Sequence, residues 1–82
     1  MSAVTSCSDS ILKMITDIME ISYDNVSVDK SFQDIGMSSI GFINVIIKCE
    51  TDFDIQFSDD KFLMTSFPTI AEFIKYVETL VP

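Results

Sequence analysis

The 82-residue chain contains no histidine and no arginine. Without histidine it lacks the side chain that most often serves as a general base or a metal ligand. It has five lysines and thirteen acidic residues, which gives a net charge of −8. Nucleic acids and anionic membranes are bound mainly through lysine and arginine, so this charge disfavours both as partners. An acidic surface instead favours partner proteins that carry basic patches.

The chain also has few cysteines and no long apolar run. Cys7 and Cys49 form neither a metal-ligand spacing nor a disulfide framework, which is typical of a reducing compartment. No apolar stretch approaches the roughly 20 residues of a membrane-spanning helix. The first ten residues lack the basic and apolar regions of a signal peptide. We therefore expect a cytoplasmic protein.

Apolar periodicity predicts a first helix from about Asp9 to Ile21, within a single domain that spans residues 1–82. The intervals between its apolar residues are those of one helical face. Residues 22–38 are rich in serine, aspartate and asparagine and predict a long loop. Four apolar side chains are expected to anchor this loop to the core. They are Val26, Val28, Phe32 and Ile35.

Three further segments predict helices. The stretch SIGFINVIIKCETDF, from Ser39, has helical apolar spacing, although its β-branched residues leave a strand as a rival. Ser58 is a candidate N-cap of a short helix. Thr69 and Glu72 have the spacing of a capping box at the start of the last helix. The predicted fold is all-α, a small four-helix bundle of three long helices and one short helix.

Two adjacent serines, Ser38 and Ser39, precede the second helix in the stretch IGMSSI. Either serine is expected to cap the helix, which is the ordinary role of serine at this position. A helix N-terminus also accommodates a phosphate well, because its free N–H groups and dipole favour negative charge. No histidine or other base is available to activate a serine, so any chemistry on it requires a separate enzyme.

No metal site is expected. The acidic stretch from Asp52 to Asp60 alternates like a calcium loop, but Phe57 and Leu63 stand where an EF-hand needs glycine and glutamate. A catalytic role is equally disfavoured, because the sequence has no metal cluster and no glycine-rich phosphate loop. The chain is therefore not expected to be an enzyme.

The segment SFQDIGMSSIGFINVIIKCETDFDIQFSDDKF resembles the centre of the acyl and peptidyl carrier proteins. The family pattern places an apolar residue, glycine, any residue and commonly aspartate before the modified serine, which Leu or Ile follows. Here these positions are residues 35–40, with Ser39 in the modified position and Ser38 in place of aspartate. The FDI of residues 53–55, the long first loop and the helical pattern also match, so the resemblance covers nearly the whole chain.

The resemblance implies a discrete carrier whose Ser39 receives 4′-phosphopantetheine from coenzyme A. A phosphopantetheinyl transferase would attach the arm, a loading enzyme would place an acyl or aminoacyl group on its thiol, and downstream synthases or synthetases would use the thioester. A monomer is expected. The transferase and the partner enzymes would recognise a rim of residues around the serine. The expected rim residues are Asp34, Gly36, Met37, Ser38, Ile40 and Phe42. For Met37 and Phe42, packing in the core is the alternative.

Two departures from the family pattern define the alternatives. Ser38 stands where the family commonly has aspartate. The alternative function, a small acidic interaction domain with a carrier-like fold and no arm, therefore remains open. The start of the second helix is also less acidic than in fatty-acid carriers, since Gly41, Phe42 and Asn44 stand where carboxylates are frequent. This favours a polyketide or nonribosomal peptide pathway, and docking through apolar side chains rather than salt bridges.

Overall fold

A computed structural model describes residues 7–22, 24 and 26–81, and over these residues it contains helices and no strand. Three α-helices form the body: α1 is Cys7–Met19, α2 is Ser39–Phe53 and α3 is Ile70–Leu80. Two short 3₁₀ turns, Asp59–Lys61 and Met64–Ser66, lie between α2 and α3. The predicted all-α fold with three long helices is confirmed, and α2 is a helix rather than a strand.

The predicted short helix is two separate 3₁₀ turns rather than one continuous helix. Ser58 precedes the first turn, but its side chain makes no capping hydrogen bond there. Its hydroxyl lies 3.3 Å from the hydroxyl of Tyr76 on α3 instead. Without a cap, a three-residue turn has little to sustain a longer helix, because the nucleus of a helix is costly to form.

Helix α1 ends earlier than the sequence predicts. Glu20 has a φ of 57°, a left-handed conformation that terminates a helix. The backbone N–H of Ile21 donates to the carbonyl of Thr16 at 3.2 Å, which satisfies one carbonyl of the last turn. Ile21 therefore follows the helix rather than belonging to it.

Aromatic side chains form the centre of the core, with Phe73 of α3 in the middle. The centroid of its ring lies 5.1 Å from those of Phe32 and Phe67, 5.6 Å from that of Phe57 and 5.8 Å from that of Phe42. The pairs with Phe32, Phe42 and Phe67 are edge-to-face, an arrangement that stabilises a core beyond the burial of its area. The cluster joins α2 and α3 to the loop that precedes α2.

The long first loop is held to the core as predicted. Phe32 is fully buried, and Val26, Val28 and Ile35 are partly buried against the core. A loop with four apolar anchors has far less freedom than its polar composition suggests. It therefore fixes the position of the segment that leads into α2.

The same loop also closes the N-terminus of α3. Thr69 is the N-cap of α3, as its sequence predicts, and backbone carbonyls of the loop accept from the first two amides. The first three N–H groups of α3 thus all have acceptors outside the helical ladder, and the N–H of Phe73 makes the first intrahelical bond. The bonds are Ile70 N–H to Lys30 O at 2.8 Å, Ala71 N–H to Val28 O at 3.0 Å, Glu72 N–H to Thr69 Oγ1 at 3.2 Å and Phe73 N–H to Thr69 O at 3.3 Å.

Candidate functional site: the start of helix α2

The N-cap of α2 is Ser38, so the first of the two adjacent serines caps the helix and the second does not. Its backbone is extended, with φ −83° and ψ 166°. Its Oγ accepts from the N–H of Gly41 at 3.0 Å, and its carbonyl accepts from the N–H of Phe42 at 2.9 Å. Serine and aspartate are comparably good N-caps. Ser38 therefore performs locally the capping that an aspartate at this position would perform.

Ser39 is the first residue of α2 and is exposed. Within the described ranges its hydroxyl makes no hydrogen bond, and the amides of Ser39 and Ile40 have no acceptor. Two open N–H groups at the positive end of a helix are suited to an anion. An exposed hydroxyl next to them can carry a phosphate without disturbing the core.

The turn before α2 is held by paired hydrogen bonds. The N–H of Ser31 donates to Asp34 Oδ2 at 3.2 Å, and the N–H of Asp34 donates to Ser31 Oγ at 2.9 Å. Gly36 has a φ of 84°, a conformation that other residues rarely adopt. The N–H of Met37 then donates to the carbonyl of Phe32 at 3.0 Å. Asp34 thus has a structural role in the turn, while its side chain stays exposed.

Two of the residues expected on the rim, Met37 and Phe42, lie in the core. Met37 is 4% exposed and Phe42 is 1% exposed, so neither presents a surface to a partner. Phe42 shares the buried face of α2 with Val45 and Cys49, and its ring lies 5.1 Å from that of Phe32. The expectation of exposed contacts is corrected by this packing. Asp34, Gly36, Ser38 and Ile40 are exposed around Ser39.

Gly41 has a packing role that the sequence did not reveal. A Cβ at this position would lie 3.2 Å from Cγ of Met37 and 3.4 Å from Oγ of Ser38. These separations are tight, so glycine lets the Met37 side chain and the capping hydroxyl lie against the helix. No local pattern in the sequence predicts such a contact, because Met37 precedes the helix.

Two other kinds of site find no support in the part of the chain that the structure describes. Over those residues no group of three or more histidine, cysteine, aspartate or glutamate side chains is arranged to hold a metal ion. Within the same residues, no helix combines the length and the apolar character needed to cross a membrane. The acidic stretch that alternates like a calcium loop runs from the end of α2 through the non-helical residues 54–58 into the first 3₁₀ turn.

An all-α fold with an exposed serine at the start of α2 is what the resemblance to carrier proteins implies, and sequence comparisons support that resemblance. The family model described as phosphopantetheine attachment site matches residues 9–77. An acyl carrier protein of Sulfurovum sp. (strain NBC37-1) is 26% identical over 73 residues, covering 88% of this chain and 95% of that protein. An acyl carrier protein of Rickettsia bellii (strain RML369-C) is 24% identical over 79 residues, covering 95% of this chain and 90% of that protein.

The chain therefore belongs to the phosphopantetheine attachment site family. It is a phosphopantetheine carrier rather than an enzyme, and its cofactor is covalently bound 4′-phosphopantetheine. When bound, the arm supplies a terminal thiol that holds cargo as a thioester. The start of α2 fits this group, since a solvent-exposed hydroxyl and two open amides meet there.

Proposed function

We propose that Ser39 is the residue that receives 4′-phosphopantetheine, and that the protein carries acyl or aminoacyl intermediates on this arm. The observation that supports Ser39 is the exposure of its hydroxyl, without a hydrogen bond to any described residue. The hydroxyl of Ser38 is already used, because it caps α2 through the N–H of Gly41. A transferase would have to break the cap to reach Ser38.

The transfer forms one bond and breaks another. Oγ of Ser39 bonds to the phosphorus of the phosphopantetheine half of coenzyme A, and the bond from this phosphorus to the bridging oxygen breaks. 3′,5′-ADP leaves with that oxygen, and the serine proton is taken up by the transferase or by solvent. Within the carrier, the open amides of Ser39 and Ile40 favour the phosphodiester that results.

The proposed function is tethered delivery. A flexible arm keeps the intermediate near the protein, which raises its effective concentration at the active site of each partner. The partners are a phosphopantetheinyl transferase, a loading enzyme and downstream synthases or synthetases. The carrier contributes recognition, and the partner enzymes contribute the chemistry.

We further propose a polyketide or nonribosomal peptide pathway rather than fatty-acid synthesis. Residues 35–47 contain no charged side chain, and no other stretch of the chain without charge is as long. An uncharged start of α2 gives little electrostatic attraction to the basic patch of an enzyme that recognises acidic carriers. Intact mass of the protein from its own host, before and after thioester cleavage, would identify the class of cargo.

Intact mass spectrometry tests the attachment residue. The apo protein is incubated with coenzyme A and a broad-specificity phosphopantetheinyl transferase, beside the variants Ser39→Ala and Ser38→Ala. We expect the wild type and Ser38→Ala to gain the mass of one phosphopantetheine, and Ser39→Ala to gain nothing. Circular dichroism of each variant establishes that it is folded.

Two outcomes would contradict the proposal. If Ser39→Ala gains the arm and Ser38→Ala does not, the attachment residue is Ser38. If the folded wild type gains no arm with any of several transferases, the alternative of an interaction domain without an arm is favoured instead.

A further inference from the structure

A surface cleft between the two 3₁₀ turns and α3 contains two of the chain's five lysines. Its volume is about 290 Å³, and it shares no residue with the start of α2 or with the rim expected around Ser39. We call it the lysine cleft. The residues that matter for its chemistry are Lys61, Phe67, Pro68, Glu72, Lys75 and Tyr76.

The ammonium group of Lys61 is held over two aromatic rings of this cleft. Its Nζ lies 5.7 Å from the centroid of the Tyr76 ring and 6.0 Å from that of the Phe67 ring, distances at which a ring face attracts a cation. The side chain of Lys61 is half-buried, whereas the other four lysines are exposed. Lys61 thus presents a positive charge that is partly withdrawn from water and fixed in place.

The charges that line the lysine cleft differ in sign from the protein as a whole. Two lysines and one glutamate give the lining a net charge of +1, whereas the chain carries −8. Neither Lys61 nor Lys75 forms an ion pair with a described residue. A charge that is partly buried without a counter-charge costs free energy, so an anion entering the cleft would be stabilised there. The acids nearest in sequence that do not line the cleft are Asp59, Asp60 and Glu78.

The shape of the lysine cleft favours a segment of a protein over a free small molecule. Its volume is below the roughly 300–1,000 Å³ of small-molecule pockets, which enclose most of their ligand. Pro68, Glu72 and Lys75 are exposed, so a small molecule bound here would keep much of its surface in water. A protein would add contacts around the cleft, as specific interfaces do. Pro68 and the ring of Tyr76 also offer apolar surface beside the two ammonium groups.

From this complementarity we propose that the lysine cleft binds an acidic segment of a partner protein. A carboxylate of that segment pairs with Lys61 and Lys75, and a neighbouring apolar side chain packs against Pro68 and Tyr76. This surface goes beyond the proposed carrier function, because it does not involve the arm or either of the adjacent serines. It gives an acidic protein a place to bind a partner that is itself acidic.

A nuclear magnetic resonance titration of the ¹⁵N-labelled apo protein tests the lysine cleft. The probes are the acetylated and amidated peptide DEFD and its uncharged analogue NQFN. The variants are Lys61→Gln and Lys75→Gln. Lys48→Gln is the matched control, because Lys48 is also exposed and lines a second cleft in which two aspartates balance two lysines. Thermal unfolding by circular dichroism establishes that each variant keeps the fold.

We expect DEFD to shift the amide signals of Ser66, Tyr76 and Thr79, which line the cleft, with a Kd on the order of 1 mM. Lys61→Gln and Lys75→Gln should each raise this Kd about two- to fivefold, the range of one partly exposed ion pair. Lys48→Gln should leave the Kd unchanged. NQFN should bind more weakly than DEFD, and 0.5 M NaCl should weaken the binding of DEFD because it screens the charges.

Three outcomes would overturn the proposal. They are equal binding of NQFN and DEFD, an equal effect of Lys48→Gln and Lys75→Gln, and the absence of shifts in the cleft at about 10 mM DEFD. If Lys61→Gln unfolds the protein, Lys75→Gln decides alone, since the side chain of Lys75 is exposed. Because the titration uses the apo protein, its result is independent of whether Ser39 receives the arm, which the mass measurement decides separately.

Discussion

Helices α2 and α3 begin in similar ways but are open to solvent to very different degrees. Each has a hydroxyl residue as N-cap, and each cap accepts from the amide three residues later. At α3 the first helical residue, Ile70, is fully buried, and its N–H donates to the carbonyl of Lys30. At α2 the first helical residue, Ser39, is exposed, and its N–H has no acceptor among the described residues.

The long first loop causes this difference. Its carbonyls at Val28 and Lys30 accept from the first two amides of α3, and the hydroxyl of Thr69 accepts from the third, so none of these three donors is open to an anion. The end of the same loop leads into α2 through Met37, whose side chain turns inward, and leaves the amides of α2 open. One segment thus closes the start of α3 and leaves the start of α2 open, so of these two helix starts only that of α2 offers amides to an anion.

The largest expected effect tests whether the first residues of the two helices have opposite roles. Ile70→Ala should lower the free energy of unfolding by about 2–4 kcal/mol, because it leaves a cavity in the core. Ser39→Ala should change it by less than about 0.5 kcal/mol, since no packing or hydrogen bond is lost. Urea denaturation of the apo proteins measures both values. Ile70→Val, with an expected loss of about 1 kcal/mol, provides a milder control. If Ile70→Ala and Ser39→Ala lower the free energy of unfolding by comparable amounts, the first residues of the two helices do not differ in their structural roles.

The second prediction concerns the cap of α2. Ser38→Ala should destabilise the apo protein by about 1 kcal/mol, the usual value of an N-cap hydrogen bond. Ser38→Asp should lie within about 0.5 kcal/mol of the wild type, since aspartate caps as well as serine does. Thermal and urea unfolding measure the difference. A loss for Ser38→Asp as large as that for Ser38→Ala would mean that the cap is not the role of this side chain.

The smallest expected effect is the stabilisation that the arm gives to the open start of α2. Attachment of the arm at Ser39 should stabilise the protein by about 0.3–1 kcal/mol, because a phosphodiester charge lies at the positive end of α2. The gain should shrink in 0.5 M NaCl, where the charge is screened. Unfolding of matched apo and holo samples at low and high salt measures it. An unchanged or larger gain at high salt would argue against an interaction with the helix terminus.

The sequence predicted the elements of the fold better than their ends. The apolar spacing around Phe73 and Val77 identified the buried face of α3, because the period of a helix is a local property. The end of α1 was placed too late, since the left-handed backbone of Glu20 terminates it before Ile21. The short helix was predicted at Ser58, whose hydroxyl is near Tyr76 instead of capping a turn.

The rim expected around Ser39 differs from the structure at two positions, Met37 and Phe42. Met37 and Phe42 were expected on the rim because they are close to Ser39 in sequence, with packing in the core as the alternative for each. The side chain of Met37 is buried and its amide donates to the carbonyl of Phe32, while Phe42 lies on the buried face of α2. Proximity in sequence therefore did not predict exposure around a turn, where successive side chains point in different directions.

The amino-acid sequence by itself determined the three helices and the anchored loop, because propensity, capping residues and apolar spacing act over a few neighbouring residues. Tertiary structure alone decided which helix start remains open and whether Met37 is inside or outside. Those outcomes depend on carbonyls and rings that are brought together from distant parts of the chain, such as Lys30 with Ile70.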